Sequence, residues 1–296
     1  MAILIIGGDS KLSKVLVPRL KNSNLQVFRT TRRNIIADDQ ILLNFDQITE
    51  FHLPKNITVA VIVGGITDYG ICESNFTYAH FINCVQIPSL VGHLLNNGVY
   101  VCYISTNTVF TSPDSLPTEY ETHSPSFNYA SFKSKAEHQI LMQALRVKQS
   151  TSLSILRLTK NVGHSTPPFD SWVQALSSGQ NITPFVDLFF APILFSHSAE
   201  AIYNIICRKI SGIFHLSGEA DISYADFAKG LISIADLNPN LVKRVSSKDV
   251  GVNLAYSHPI TGLDMKLTSQ LLGLQPVPVN DVYKYLVSRI HSKKSN

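Results

Sequence analysis

A doubly wound α/β sheet of parallel strands is the fold class this sequence predicts. Short apolar runs recur along the first half of the chain, and helix-spaced stretches separate them. One run, "TVAVIV" at residues 58–63, is apolar without a break, as expected of a strand covered on both faces. Strands that alternate with helices pair in parallel through crossover connections.

The elements follow in order. Residues 3–6 form an apolar first strand that runs into Gly7 and Gly8. Leu12, Val15, Leu16 and Leu20 recur at helical spacing and predict a helix over 11–20. Strands are expected at 25–28, 41–44 and 58–63, then a long helix over 76–95. "VYVCYIS" predicts a strand at 99–105, residues 129–145 a helix, and 153–158 a further strand. Beyond Lys160 the pattern loosens. "GHSTPPFDSW" reads as a loop and 198–207 as a helix. "GIFHL" at 212–216 reads as a late strand rejoining the sheet. Ser223 is an N-cap for a helix over 224–235, and a last helix is expected near 280–290. The second half reads as a smaller cap on the strand ends, where open parallel sheets bind ligands.

The chain has 296 residues, enough for one large domain or two smaller ones. A hydrophobic content of 45%, a charged content of 16% and a net charge of +4 describe a soluble globular protein. The basic cluster Arg29-Thr30-Thr31-Arg32-Arg33 is too short to demand nucleic acid. The first apolar run is too short for a signal peptide or a membrane span. Cys72, Cys84, Cys102 and Cys207 lack CxxC pairing and read as reduced thiols, which points to the cytoplasm. His123, His138, His164, His197 and His215 have no metal-ligand spacing, and His215 reads as a core histidine. The terminal "HSKKSN" reads as a solvated end, and Asp114, Glu119 and Glu121 as a solvated loop. Phe169, Trp172 and Phe185 suit packing of the smaller domain or stacking on a base.

The opening turn "GGDSKLS" admits two readings. Small residues there let backbone amides approach a pyrophosphate at a helix N-terminus, but Ser10 and Ser13 carry a Cβ. A strand, turn and helix without a ligand fits equally. The second strand ends "VFRTTRR", with no acid before Asp38. A carboxylate there accepts from the ribose of NAD, whereas guanidinium groups grip a 2′-phosphate. If a dinucleotide binds, NADP(H) is favoured over NAD(H).

The chemistry-bearing set is "YISTNTVF" followed by "NYASFKSKAEH". Tyr129 and Lys133 are four residues apart, on one helix face. Tyrosine is a poor acid near neutrality, and an adjacent ammonium lowers its pKa. Such a pair moves a proton to or from a carbonyl oxygen, and Thr106 or Ser105 at the neighbouring strand end can hold that oxygen.

These residues resemble the extended short-chain dehydrogenase/reductases, most closely the dTDP-4-dehydrorhamnose reductase group. "ISTNTVF" stands where that group has an "STDYVF"-like strand end, and "YASFKSKAE" where it has "YGxTKLxGE". Asp46, Asn83, Arg157, Asp187 and Pro192 fall on further motif positions, and the likeness runs from about Ile3 to Leu286. The resemblance implies a Rossmann-like sheet with a smaller C-terminal substrate-binding domain. Residues 1–160 would bind NADP, 187–218 would rejoin that unit, and 161–186 with 219–296 would hold substrate. It implies catalytic roles for Thr106, Tyr129 and Lys133. Gly7, Gly8, Ser10, Lys11 and Leu12 would line the pyrophosphate, and Arg29 and Arg32 the 2′-phosphate. Asp46 would lie near the adenine, Gly64 and Gly65 beside the cofactor, and Lys133 on the nicotinamide ribose.

The implied reaction is NADPH-dependent reduction of the keto group of a nucleotide-activated 4-keto-6-deoxy sugar. No metal is implied; a homodimer is. A nucleotide-sugar epimerase or dehydratase recycling NAD, and a non-catalytic regulatory subunit of the same fold, stay open. The departures face the sugar: "GGITDYG" shares only Thr67 with the usual loop, and Lys160 and Val162 replace an aromatic pair.

Overall fold

The structure, a computed structural model, describes residues 1–294. In chain order the first half contains β1 (Ala2–Ile6), α1 (Lys11–Lys21), β2 (Gln26–Thr31), β3 (Gln40–Leu42) and β4 (Ile57–Ile62). Then come α2 (Tyr69–Ser74), α3 (Phe76–His80), α4 (Ile87–Asn96), β5 (Tyr100–Thr106), α5 (Asn128–Arg146) and β6 (Leu153–Leu158). The second half contains β7 (Lys160–Val162), α6 (Phe169–Ser177), β8 (Phe189–Phe190), β9 (Pro192–Leu194), α7 (Phe195–Arg208) and β10 (Gly212–Leu216). It closes with β11 (Ile222–Ser223), α8 (Tyr224–Ile234), α9 (Lys266–Leu272) and α10 (Val279–Lys294).

Seven strands form one parallel, Rossmann-like sheet in the order β10-β6-β5-β4-β1-β2-β3. β1 shows why its sequence makes a central strand. Its side chains alternate between two cores: Ile3 and Ile5 pack with α1 and α7, and Leu4 and Ile6 with α4 and α5. All five of its residues are buried, each large side chain contributing roughly 1.5–3 kcal/mol. The strand order reverses direction at β1 and β4, so a crevice opens beyond their carboxyl ends. The late strand 212–216 rejoins the sheet beside β6, as expected.

The helix expected over 76–95 differs in detail. A helix begins earlier, at Tyr69, breaks at Asn75, and passes through a π-helical turn (Phe81–Gln86) before α4. Pro88 has no N–H and would crowd the carbonyl four residues back, which a wider turn relieves. The stretch read as a loop around 163–172 contains α6. Phe169, Trp172, Val173 and Leu176 bury its inner face, the periodic signal that two prolines obscured. These aromatic residues pack in a cluster with Phe190, Tyr224 and Phe227, the structural alternative of the two sequence readings. Ser223 caps α8 as expected, accepting from the Asp226 N–H at 3.0 Å. Cys72, Cys84 and Cys102 are buried free thiols, and Cys207 is exposed. Of the solvated end "HSKKSN", Ser295 and Asn296 lie outside the described residues, and the preceding four finish α10. Division of the chain into 1–160 with 187–218, and 161–186 with 219–296, is our proposal; β10 in the main sheet supports it.

Candidate active site

The turn after β1 carries both demands the sequence raised. Gly7 has φ +94°, and a Cβ there would lie 2.6 Å from the Gly64 backbone, so two strand ends approach through a missing side chain. Ser10 caps α1: its Oγ accepts from the Ser13 N–H at 3.1 Å. Ser13, fully buried, donates its hydroxyl to the Gly7 carbonyl at 2.9 Å. The serines therefore close the turn with hydrogen bonds where glycine would close it by contact. The first-turn N–H groups of Lys11 and Leu12 have no carbonyl partner within the helix and form an anion-favouring end. Gly8 donates to the Thr30 carbonyl at 2.9 Å, which ties the turn to β2.

Two cavities meet at this turn, sharing Asp9, Ser10, Val63 and Thr67. A crevice of about 470 Å³ is lined by Gly7, Gly64, Gly65, Arg32 and Arg33 among others. The glycine approach, the open helix end and two arginines at its mouth fit a dinucleotide. Asn83 shapes the far wall, bracketing Ile66 through its N–H at 3.0 Å and its carbonyl at 2.9 Å.

Two expected residues lie elsewhere. Arg29 is not a free phosphate ligand: its guanidinium pairs with Asp39 at 3.1 Å, and it does not line the crevice. It sits within β2, where alternation turns its side chain towards the neighbouring β3 connection. Asp46 lies outside the crevice lining, its carboxylate accepting from the Tyr78 hydroxyl at 3.4 Å. Two lining residues escaped the sequence. Arg33 continues the basic strand end, and Asp9 in the turn accepts from the Thr31 hydroxyl at 2.9 Å. The absence of an acid from the β2 sequence therefore did not mean its absence from the β2 end in space.

The larger cavity, about 810 Å³, is walled by Lys11, Leu12, Thr106, Tyr129, Lys160 and the segment around Tyr256. Thr106 ends β5 and Tyr129 opens α5, so strand and helix deliver the two hydroxyls to one wall. Burial holds the Tyr129 phenol well above the usual tyrosine value, and the nearby Thr106 hydroxyl, which favours the ionised form, offsets this only in part. Tyr69, missed by the sequence, covers Tyr129 with ring centroids 5.1 Å apart and lines the same cavity.

Lys133 follows Tyr129 by one helical turn, but its ammonium is turned to the strand beneath. It donates to the Tyr103 hydroxyl at 2.6 Å and the Ile104 carbonyl at 2.7 Å. Burial lowers its pKa to about 7, against the opposing influence of Glu137. The acidification of Tyr129 by Lys133 expected from their spacing is absent from this arrangement. Helical spacing sets the face a long side chain leaves from, and the carbonyl at the strand end sets where its tip goes.

A buried charge cluster backs the strand end. Arg157, 2% exposed, holds Glu137 through Nε at 3.1 Å and Nη2 at 2.8 Å. Glu137 also accepts from the Ser105 hydroxyl. His123 meets Arg157 Nη2 at 2.7 Å, and His215 meets Nη1 at 3.2 Å. Burial and the Arg157 charge push His215 down to about 3, so it is a neutral core histidine, as expected. Glu119, expected in a solvated loop, is 5% exposed at the edge of this cluster. Its loop is drawn in by the Arg157 bond to its carbonyl at 3.2 Å.

A parallel sheet with a ligand crevice at its switch point, and a threonine–tyrosine wall beside it, define a Rossmann-like protein of the extended short-chain dehydrogenase/reductase class. The chain belongs to the family described as RmlD substrate binding domain, whose model matches residues 1–284. Among solved structures it is similar to a dTDP-4-dehydrorhamnose reductase from Yersinia enterocolitica (20% identity, 98% of this chain and 99% of that one, TM-score 0.81). A dTDP-4-dehydrorhamnose reductase from Bacillus anthracis in complex with NADP matches at 19% identity over 99% of each chain, TM-score 0.77. A dTDP-glucose 4,6-dehydratase from Streptomyces venezuelae with NAD bound matches at 16% identity over 100% of this chain and 98% of that one, TM-score 0.77. At these identities the likeness shows the fold. A comparison with curated protein sequences found no match. Among the described residues, no helix is long and apolar enough to cross a membrane.

Proposed function

We propose that this protein reduces the keto group of a nucleotide-activated 4-keto-6-deoxy sugar with NADPH. The observation that carries the reading is the common wall: Thr106 and Tyr129 face the same cavity as Lys11 and Leu12, and that cavity opens into the crevice at the glycine turn. Gly7 and the first turn of α1 would hold the pyrophosphate, with Lys11 beside it, and Arg32 with Arg33 the 2′-phosphate. Nicotinamide bound there supplies a hydride to the keto carbon. Thr106 holds the keto oxygen and Tyr129 donates its proton to the developing alkoxide. A phenol kept neutral by burial suits a proton donor. Lys133 would support that transfer by leaving Tyr103 for the ribose side of the phenol.

Tyr129→Phe tests the assignment. NADPH oxidation with a dTDP-4-keto-6-deoxy sugar falls a hundredfold or more while the Kd for NADPH holds. Near-normal turnover rejects it. The Asp9 carboxylate at the β2 end favours a second reading, an epimerase or dehydratase that retains NAD, since a carboxylate there suits a ribose hydroxyl. Tightly bound NAD in purified protein supports that reading. NADPH is preferred here because Arg32 and Arg33 lie together at the β2 end of the crevice, whereas of its two carboxylates, Asp9 and Asp68, the second is engaged in capping α2, accepting from the Ile71 N–H at 2.9 Å. Reduced thiols at Cys72, Cys84 and Cys102 support a cytoplasmic location. The exposed apolar side chains of Phe81, Val85, Leu141 and Leu145, on the packed π-turn and α5, support a homodimer, measurable by sedimentation.

A further inference from the structure

Tyr224, the first residue of α8, lines the large cavity and is 6% exposed. Its backbone N–H donates to the Leu188 carbonyl at 2.9 Å, which ties the start of the helix to the segment leading into β8. Three aromatic neighbours hold its ring: Phe190 with centroids 4.3 Å apart, Phe169 at 5.7 Å and Trp172 at 6.0 Å. A phenylalanine would serve that packing equally well. The hydroxyl is the part that packing leaves unexplained. It has no hydrogen-bond partner among the described residues, and it is not sealed from open space. Tyr100 and Tyr103 are buried as deeply, and each has a partner at 2.6 Å. A buried tyrosine hydroxyl ordinarily finds one.

The surroundings define the missing partner. Leu188, Phe189, Phe190 and Ala191 line the cavity beside Tyr224, and none carries a charge. The charged lining residues, Asp9, Lys11 and Lys160, lie on other segments. A neutral ligand with C–H faces and hydroxyl groups suits such a wall. Burial keeps the Tyr224 phenol above the usual tyrosine value, so it stays neutral and can both donate and accept. Tyr224 is not part of the crevice at the glycine turn, so the dinucleotide does not account for it.

We propose that the Tyr224 hydroxyl hydrogen-bonds a ring hydroxyl of the sugar, at C2 or C3, and selects sugars that carry it. This rests on the reading of the cavity as a sugar-nucleotide site. A 4-keto-6-deoxy ring keeps those two hydroxyls, while Thr106 and Tyr129 act on the keto group. A site built around such a bond rejects the analogue without the hydroxyl, because its own polar group is then left unpaired.

Calorimetric titration of protein saturated with oxidised NADP tests it, since that cofactor cannot reduce the ligand. The probes are dTDP-4-keto-6-deoxyglucose, its 2-deoxy and 3-deoxy analogues, and dTDP. Tyr224→Phe keeps the ring and removes only the hydroxyl. It should weaken the parent sugar nucleotide about three- to tenfold, the size of one neutral hydrogen bond. One deoxy analogue should be weaker by a like factor in wild type and lose nothing further in the variant. A change of less than about twofold for the parent overturns the inference. An equal loss for dTDP overturns it in favour of a nucleotide contact. An equal loss for the parent and both deoxy analogues, with dTDP unaffected, places the bond on another ring atom and overturns it too. Unchanged NADPH binding and thermal unfolding in the variant show that the fold is intact. A wild type that binds these sugars but does not oxidise NADPH with them loses the proposed function and leaves the Tyr224 contact to be read by binding. A wild type that binds none of them loses both.

Discussion

Glu137→Leu strands the Arg157 guanidinium in the interior. Glu137 and Arg157 are 1% and 2% exposed, and the carboxylate accepts from Arg157 Nε through both oxygens, from Arg157 Nη2 and from the Ser105 hydroxyl. Removing one partner of such a buried pair costs about 3–5 kcal/mol, because the remaining charge keeps its desolvation penalty. Unfolding entropy of about 2.1 cal/mol/K per residue gives, over 296 residues, roughly 0.6 kcal/mol/K. A loss of that size therefore lowers Tm by roughly 5–8 °C. Glu137→Gln keeps one acceptor oxygen and falls at the lower end. The double variant Glu137→Leu/Arg157→Met removes both charges and recovers most of the loss, as buried pairs replaced by apolar residues often do. Scanning calorimetry at pH 7 measures all three. A Tm within 1 °C of wild type for Glu137→Leu, or no recovery in the double variant, refutes the argument. Because Ser105 adjoins Thr106, the single variant also lowers turnover with little change in NADPH affinity.

Gly7→Ala places a Cβ 2.6 Å from Gly64 at φ +94°, so it costs about 1–3 kcal/mol and weakens NADPH at least tenfold, read by fluorescence titration. Arg33→Ala weakens NADPH about tenfold and leaves NADH unchanged, whereas Asp9→Asn moves the preference the other way; equal effects on both nucleotides contradict the crevice assignment. Lys133 has a folded pKa of about 7, below its unfolded value of 10.5. The unfolded chain therefore binds more protons between these values, and stability from this group rises with pH across that window. Lys133→Met removes the dependence: its Tm relative to wild type is highest below pH 7 and declines towards pH 10. A flat difference would show that the wild-type amine is not buried as described.

The strand at 153–158 and the late strand at 212–216 were legible to the residue, because an unbroken apolar run between turn signals has one economical use. The glycine turn and the Thr106–Tyr129 pair were legible for a similar reason: both depend on spacing within one strand–turn–helix unit. α6 was missed, since "STPP" masks a periodic helix whose buried face is defined by Tyr224 and Phe227 far along the chain.

What the sequence determined by itself was periodicity, order and the placing of small residues, hence the doubly wound sheet and the position of its ligand crevice. What only the tertiary structure decided was where flexible charged tips end. Arg29 turned to Asp39, Lys133 to Tyr103, and Asp9 came to the β2 end. Backbone conformation is chosen by neighbours a few residues away, whereas a long ionic side chain settles by the charges, carbonyls and burial it meets. Those come from segments that become neighbours only on folding.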